Sequence, residues 1–421
     1  MWPWIAYNAA LGALVPVWGP YAAWRLTRGN SRAGRKERLG LGPALPPSNR
    51  RVWMHGASVG EMVALQPIAR RFHAIRPDAK VVVSTITPTG QEVARRAFDW
   101  AEQARYFPLD MPGPVARSVN AVGATVVALL ETELWPNFIH AASIVGPVVL
   151  LNGRISDRTF RSAQRFRPLY RWMLNHLTMM GMQTEGDAER IRELGAPADR
   201  VHVMGISKFD ESVPSLNEAA KREWRDKLGL GDARLLIAGS TFPGEDEAVL
   251  QAFRVCRSVT PNLRLLIAPR HIERAAAILA LAASAGFSAG LRSNGPAADV
   301  DVVIVDTYGE LATLYGLAEA AFVGRSLGAN RGGQNLIQPM AHGVPAIHGP
   351  NMQNFRDVAG QADNSAAAQV VTDAEGLADA WLRILTSEEW RRAMGEAGRS
   401  EVKRNKGASD RYARVMAGLL P

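Results

Sequence analysis

Residues 51–61 read Arg51-Val52-Trp53-Met54-His55-Gly56-Ala57-Ser58-Val59-Gly60-Glu61. Val52 to Met54 predict a short buried strand. Gly56 and Gly60 predict a tight turn, and Met62, Leu65 and Ile68 mark the apolar face of a helix that opens near Glu61. The glycines let the backbone turn sharply and leave room for a ligand beside it. Ser58 suits an N-cap, the amides of the helix start face an anion, and the Glu61 carboxylate would sit at the mouth of a cleft. In open α/β sheets ligands bind beyond the C-terminal ends of the strands, where this turn lies. The same residues also describe an ordinary βα turn with a solvated Glu, and spacing alone does not choose between the two.

The surrounding sequence repeats the strand–helix alternation. Lys80 to Thr85, Thr125 to Leu130 and Val148 to Leu151 are apolar runs, and Pro88 to Phe98 has the pattern of a helix. The runs are continuous rather than alternating, as in parallel strands buried on both faces, which predicts a doubly wound α/β domain to about residue 210. Each strand delivers polar residues at its C-terminal end: His55 to Glu61, Thr85 to Thr89, Glu131 and Glu133, Asn152 and Arg154. A second series follows a linker at Pro214 to Glu218. Its strands are Arg234 to Ala238, Arg264 to Ala268, Val302 to Val305, Ala320 to Val323 and Pro345 to His348, with a helix from about Leu336 to His342. The glycines before Asn335 expose helix-start amides that suit a phosphate, and Arg270 suits bidentate phosphate binding. Terminal helices are expected over Glu375 to Leu385 and Ser387 to Leu420.

The chain has 421 residues, too many for one core, and 47% are hydrophobic. Its net charge of +9 suggests an acidic partner, but no zinc spacing, RNP-like motif or basic heptad helix points to nucleic acid. The single cysteine, Cys256, excludes an intramolecular disulfide. Residues 1–24 carry no charged side chain, and Trp2, Trp4, Trp18, Tyr21 and Trp24 gather toward the two ends, as interfacial aromatics do. The stretch is long enough to cross a bilayer core. Arg25, Arg28, Arg32, Arg35, Lys36 and Arg38 follow, which places the rest on the cytoplasmic side and suits anionic headgroups. Spanning and re-entrant placements stay open, as does a buried N-terminal helix. Arg158, Arg161, Arg165, Arg167 and Arg171 form either a basic face toward a membrane or lipid phosphate, or a solvated helix face.

Two Rossmann-like doubly wound domains facing a central cleft, with an N-terminal membrane-anchor helix, make an α/β chain of the GT-B fold. The expected division is an anchor with its basic segment over 1–40, an N-terminal Rossmann-like domain over 41–212, a C-terminal Rossmann-like domain over 213–390, and a C-terminal helix over 391–421 packing back on the first domain.

The sequence resembles the bacterial 3-deoxy-D-manno-octulosonic acid (Kdo) transferases of glycosyltransferase family 30 along essentially its whole length. The resemblance rests on His55 to Glu61, Thr87-Pro88-Thr89-Gly90, Tyr106 to Asp110, Glu131 to Asn137, Asn152 to Ser156 and Lys208-Phe209-Asp210. In the second half it rests on Gly239-Ser240-Thr241, Pro269-Arg270-His271, Asp306 to Leu311 and Gly332 to Pro339. It implies transfer of Kdo from CMP-Kdo to a lipid A precursor such as lipid IVA at the inner membrane, with CMP-Kdo a substrate and neither cofactor nor metal required. It further implies Glu61 as general base, and Glu131 and Lys208 as groups that stabilise the transition state. Pro269, Arg270, Gly309, Glu310, Leu311, Asn335, Leu336, Ile337 and Gln338 match the segments that bind CMP. The resemblance thus implies that the first domain takes the acceptor and the second the CMP-sugar. The chain departs from the family at Arg325, where Gly is usual, and at Gln338, where Glu is usual. Those departures leave open another sugar nucleotide, or a membrane-anchored paralogue that binds a nucleotide or lipid without turnover. A UDP-sugar epimerase of the same fold is a further alternative, against which the anchor argues.

Overall fold

The computed structural model describes residues 2–27, 33–210, 213–296, 300–330 and 332–421, with the backbone alone for 17, 18 and 20–27. The chain forms two compact units, Met1–Glu211 with Asn405–Pro421, and Ser212–Arg404.

The first unit carries seven strands: β1 (Arg51–His55), β2 (Lys80–Thr85), β3 (Gln103–Tyr106), β4 (Val126–Leu130), β5 (Val148–Gly153), β6 (Met179–Met182) and β7 (Val201–Val203). All pair in parallel, in the order β3-β2-β1-β4-β5-β6-β7. Every residue of β1, β4 and β5 is buried, which accounts for their unbroken apolar sequence. Successive side chains on a strand point to opposite faces. Trp53, Val127, Leu129 and Leu150 therefore join one core with Phe138, while Val52, Met54, Val126 and Ala128 join another with Met62, Tyr412 and Met416.

The second unit carries β8 (Arg234–Thr241), β9 (Leu263–Pro269), β10 (Ala289–Leu291), β11 (Val302–Ile304), β12 (Ala320–Val323), β13 (Ala346–His348) and β14 (Ala368–Val370). This sheet is also parallel, in the order β10-β11-β9-β8-β12-β13-β14. The order of connection reverses between β1 and β4 in one sheet and between β8 and β12 in the other. A doubly wound sheet opens a crevice at such a reversal.

The helix expected near Glu61 runs over Val59–Ile75 and is capped by Ser58. The C-terminal segment differs from the expectation. Ala374–Thr386 and Glu388–Asn405 are separate helices whose Trp381 and Met394 fill the second unit's core. The chain then breaks at Gly407, with φ of 84°. Only the following helix, Ala408–Gly418, packs in the first unit, where Tyr412, Ala413 and Met416 are buried.

At the other terminus a helix spans Trp2–Thr27. Among the described residues no helix is long and apolar enough to cross a membrane. One face of the N-terminal helix is tied to the first unit. Trp4 Nε1 and Asn8 Nδ2 donate to Asn137 Oδ1 at 2.8 and 2.9 Å, and the Tyr7 hydroxyl donates to Asp110. Trp2, Ile5 and Leu14 are exposed. Of the basic residues that follow, Arg28 and Arg32 lie outside the described residues and Arg25 is described by backbone alone. Arg35 and Lys36 are exposed. Arg38 turns inward, bonding the Ile86 carbonyl and lying 4.5 Å over the Tyr106 ring, so it serves the fold rather than a headgroup.

Candidate active site

The turns after β1 and β4 meet at the reversal in the first sheet. Ser58 and Glu61 form a reciprocal capping box. The Glu61 amide donates to Ser58 Oγ at 3.5 Å, and the Ser58 amide donates to Glu61 Oε2 at 2.6 Å. Gly56 packs closely here, since a Cβ on it would lie 3.1 Å from Glu61 Cβ and crowd that side chain. Glu61 is 9% exposed. Burial, then the negative charges of Glu133 and Glu131, push its carboxyl up to about 7. A carboxylate so placed is a competent proton acceptor near neutral pH.

Glu131 follows β4 in the left-handed region, with φ of 53°. Asn152, at the end of β5, is left-handed as well, with φ of 52°. Its Oδ1 accepts from the Ser207 amide at 3.0 Å, and Ser207 Oγ donates to the Ala64 carbonyl at 2.8 Å. Those bonds fix the short 3-10 turn Ser207–Asp210 against the end of β5 and the Glu61 helix. Lys208, half-buried, is held by that turn. The structure thus gathers Glu61, Glu131 and the turn bearing Lys208 at one edge of one sheet.

Glu133 shares that edge. Its Oε2 lies 3.3 Å from His55 Nε2 and accepts from Trp135 Nε1 at 2.7 Å. The sequence shows it as one polar residue beyond a strand and assigns it nothing more. Asp110 supports the same loop from below, accepting from the Asn137 and Phe138 amides at 3.2 and 2.8 Å.

In the second unit Pro269 ends β9 and Arg270 follows it, exposed, with its amide donating to the Thr241 carbonyl at 3.1 Å. Gly309 takes φ of 86° before Leu311–Leu314, a single helical turn. Glu310 accepts from Thr307 Oγ1 at 2.6 Å and pairs with Arg292 at 3.3 Å. Asn335, Leu336, Ile337 and Gln338 enter the helix Ile337–His342. The open amides expected there are partly taken, since Ile337 N donates to Asn335 Oδ1 at 2.9 Å.

A second feature of this edge has no sequence signal. The buried Glu245 carboxylate accepts from the amides of Phe242, Arg325, Ser326 and Leu327 at 2.8, 2.8, 2.8 and 2.9 Å. Such a nest binds anions, and the protein fills it with its own. Arg325 has φ of 57°, a conformation that glycine adopts without cost.

A family model described as 3-Deoxy-D-manno-octulosonic-acid transferase (kdotransferase) matches residues 33–211. The 3-deoxy-D-manno-octulosonic acid transferase of Haemophilus influenzae is 31% identical over 393 residues, 91% of each chain. That of Bordetella pertussis is 33% identical over 426 residues, 96% of each. The chain belongs to the 3-deoxy-D-manno-octulosonic acid transferase family. It is a glycosyltransferase. The solved UDP-GlcNAc 2-epimerase of Neisseria meningitidis matches this Kdo transferase family member over 88% of the chain and 99% of its own, with a TM-score of 0.56 and 10% identity. That likeness shows a shared GT-B-like α/β architecture.

Proposed function

We propose that this transferase moves Kdo from CMP-Kdo to an anionic lipid A precursor such as lipid IVA, at the cytoplasmic face of the inner membrane. Glu61 takes the proton from the acceptor sugar hydroxyl. The oxygen attacks the anomeric carbon of Kdo as the bond to CMP breaks, and CMP leaves with the electron pair, so the configuration inverts. Lys208 stabilises the charge that develops on the departing phosphate. Glu131 either orients Lys208 or stabilises positive charge at the anomeric carbon. In the second unit, Pro269 with Arg270, Gly309 to Leu311 and Asn335 to Gln338 hold CMP. The N-terminal helix, with its outward Trp2, Ile5 and Leu14, attaches the enzyme to the membrane that carries the acceptor.

The observation that carries this reading is Glu61, buried and pushed up to about 7 beside two other carboxylates. The capping box explains why a Glu stands here but not why two further carboxylates lie beside it, and perturbed groups of this kind gather at functional sites. The test is CMP release by the full-length protein from CMP-Kdo with lipid IVA. Release that needs the acceptor, and that Glu61→Gln reduces by roughly 100-fold or more, supports the transferase and its base. Equal release by both proteins removes Glu61 as base. No release from folded wild type removes the donor or acceptor assignment and turns attention to another sugar nucleotide.

A further inference from the structure

The turn that bears Lys208 is gripped by a helix from the far end of the chain. The segment from Met204 to Asp210 follows β7, and the helix Ala408–Gly418 binds it along its length. Arg411 Nη2 donates to the Met204 carbonyl at 2.7 Å, and the Tyr412 hydroxyl donates to the Gly205 carbonyl at 2.8 Å. Ser409 Oγ donates to the Ser207 carbonyl at 3.5 Å. Asp210 closes the set. One of its carboxylate oxygens accepts from the Gly407 amide and the other from the Ser409 amide, both at 2.6 Å. Gly407 is the N-cap of the helix and has no side chain to cap it, so the first amides need an acceptor from elsewhere. Asp210 supplies it, with the negative charge that a helix N-terminus favours. Bonds from backbone amides to a carboxylate are short and strong. Asp210 lies at the end of the first unit's leading segment and Gly407 near the start of its returning one, so this carboxylate pins the outgoing chain to the returning chain.

We propose that Asp210 is a positioning residue of the transfer reaction, the tie that sets Lys208 in place. The proposal rests on the reading of Lys208 as the group that stabilises charge on the departing phosphate. The link between the two residues is covalent. Both belong to the single 3-10 turn Ser207–Asp210, so the backbone carries a displacement of Asp210 to Lys208. The leading end of that turn is fixed at Ser207, through Asn152 and the Ala64 carbonyl. Phe209, between Lys208 and Asp210, is fully buried. The trailing end is fixed by the two amides on Asp210. A charge stabilises a transition state only where the opposite charge develops, and a displacement of about 1 Å can cost roughly 100-fold in rate. A carboxylate that served only as a helix cap would change stability and leave the turnover of the folded protein alone.

The experiment is a double-mutant cycle on CMP release from CMP-Kdo with lipid IVA. It compares the full-length protein with Asp210→Asn, Lys208→Ala and the two together, with single-turnover rates beside kcat and KM so that slow variants stay measurable. Asn presents one carbonyl oxygen in place of two carboxylate oxygens, so one amide loses its acceptor. The expected result is a fall in kcat of roughly tenfold or more in Asp210→Asn, with KM for both substrates within about twofold, and no further fall when Asp210→Asn is added to Lys208→Ala. An unchanged kcat in Asp210→Asn, or losses that multiply in the double variant, overturns the role of Asp210 and leaves Lys208 standing. A wild-type kcat in Lys208→Ala overturns the reading of Lys208 and this proposal with it. Should Asp210→Asn not fold, Asp210→Glu takes its place in the cycle. Glu keeps the charge and both oxygens, which satisfies a cap, but its arm is longer by one CH₂ and shifts the turn. A wild-type kcat in folded Asp210→Glu overturns the proposal, and a loss that vanishes in the Lys208→Ala background supports it.

Discussion

As the proposed base, Glu61 would couple stability and activity to pH with opposite signs. Its folded pKa, about 7, lies above the ordinary carboxylate value. The fold therefore favours the neutral acid. The stability this gives is complete below the unfolded pKa and is lost as pH rises through about 7. On the proposed reading of Glu61 as base, activity needs its ionised form and is expected to rise over the same interval. Glu61→Gln keeps the capping-box geometry without the buried charge. It should therefore melt with wild type at pH 4 and be more stable at pH 8, by about 3 kcal/mol, while, on the proposed role, losing turnover. Urea unfolding at the two pH values measures this, and equal stability at pH 8 would mean that the buried charge costs nothing. Glu61 was legible in the sequence, because a Gly-bracketed turn after a strand sets a cap and a carboxylate in known positions. The environment of Glu133 was not. It depends on the parallel register that sets His55 of β1 against Ser84 of β2, residues 29 apart in sequence, and on an indole two residues beyond Glu133.

At the scale of elements, four of the five described non-glycine residues with positive φ lie at the same place in the two sheets, Ala366 before β14 being the fifth. Glu131, Asn152, Ser240 and Arg325 are non-glycine residues with positive φ, and they lie at the C-terminal ends of β4, β5, β8 and β12. Strain of this kind costs energy and persists only where the surroundings over-determine it. At β12 the surroundings are the Glu245 carboxylate and its four amide donors. Glu245→Ala leaves the buried amides of Ser326 and Leu327, and the half-buried amides of Phe242 and Arg325, without an acceptor, and each unmet buried group costs about 1–3 kcal/mol. Urea unfolding should show the second unit weakened by more than about 3 kcal/mol. A loss under about 1 kcal/mol would mean that water or another group replaces the carboxylate. The central strands other than β6 were readable because burial on both faces demands continuous apolar sequence, whereas β6, Met179–Met182, is buried throughout but short and interrupted by Gly181. β10 and β14 were not. Each has three residues and lies at an edge of its sheet, and neither is fully buried, so no apolar run marks them. Nor does sequence expose Glu245, which reads as an ordinary acid in the first turn of the helix Glu245–Val259.

The whole molecule is two units in which the chain leaves the first and returns to it. The return is set by Gly407. Its left-handed turn, with the amides of Gly407 and Ser409 both donating to Asp210 at 2.6 Å, starts a helix whose buried Tyr412 and Met416 complete a core begun by β1. The sequence predicts one helix over 391–421 packing back on the first domain; the break at Gly407 instead leaves Met394 of Glu388–Asn405 in the second unit's core and sends only Ala408–Gly418 to the first. The charge of the molecule, +9, has a local counterpart in the first unit. Arg158, Arg161, Arg165, Arg167 and Arg171 are all exposed, as is Phe166, on the helices Asp157–Arg165 and Arg167–Leu174. Trp172 of the latter helix lies 6.4 Å from Trp4 of the N-terminal helix. The exposed apolar residues of the N-terminal helix and this basic face therefore belong to adjoining elements. Such a surface binds membranes through apolar burial and attraction to anionic lipid together, with about 1 kcal/mol from each basic residue near the surface. The full-length protein should sediment with vesicles containing phosphatidylglycerol far more than with phosphatidylcholine alone, and the difference should shrink as salt rises. Reversing two charges, Arg161→Glu with Arg165→Glu, should lower partitioning onto the anionic vesicles by roughly tenfold or more while leaving CMP release from soluble acceptor analogues intact. Equal binding to neutral and anionic vesicles would assign attachment to the N-terminal helix alone and return the five arginines to the role of a solvated face.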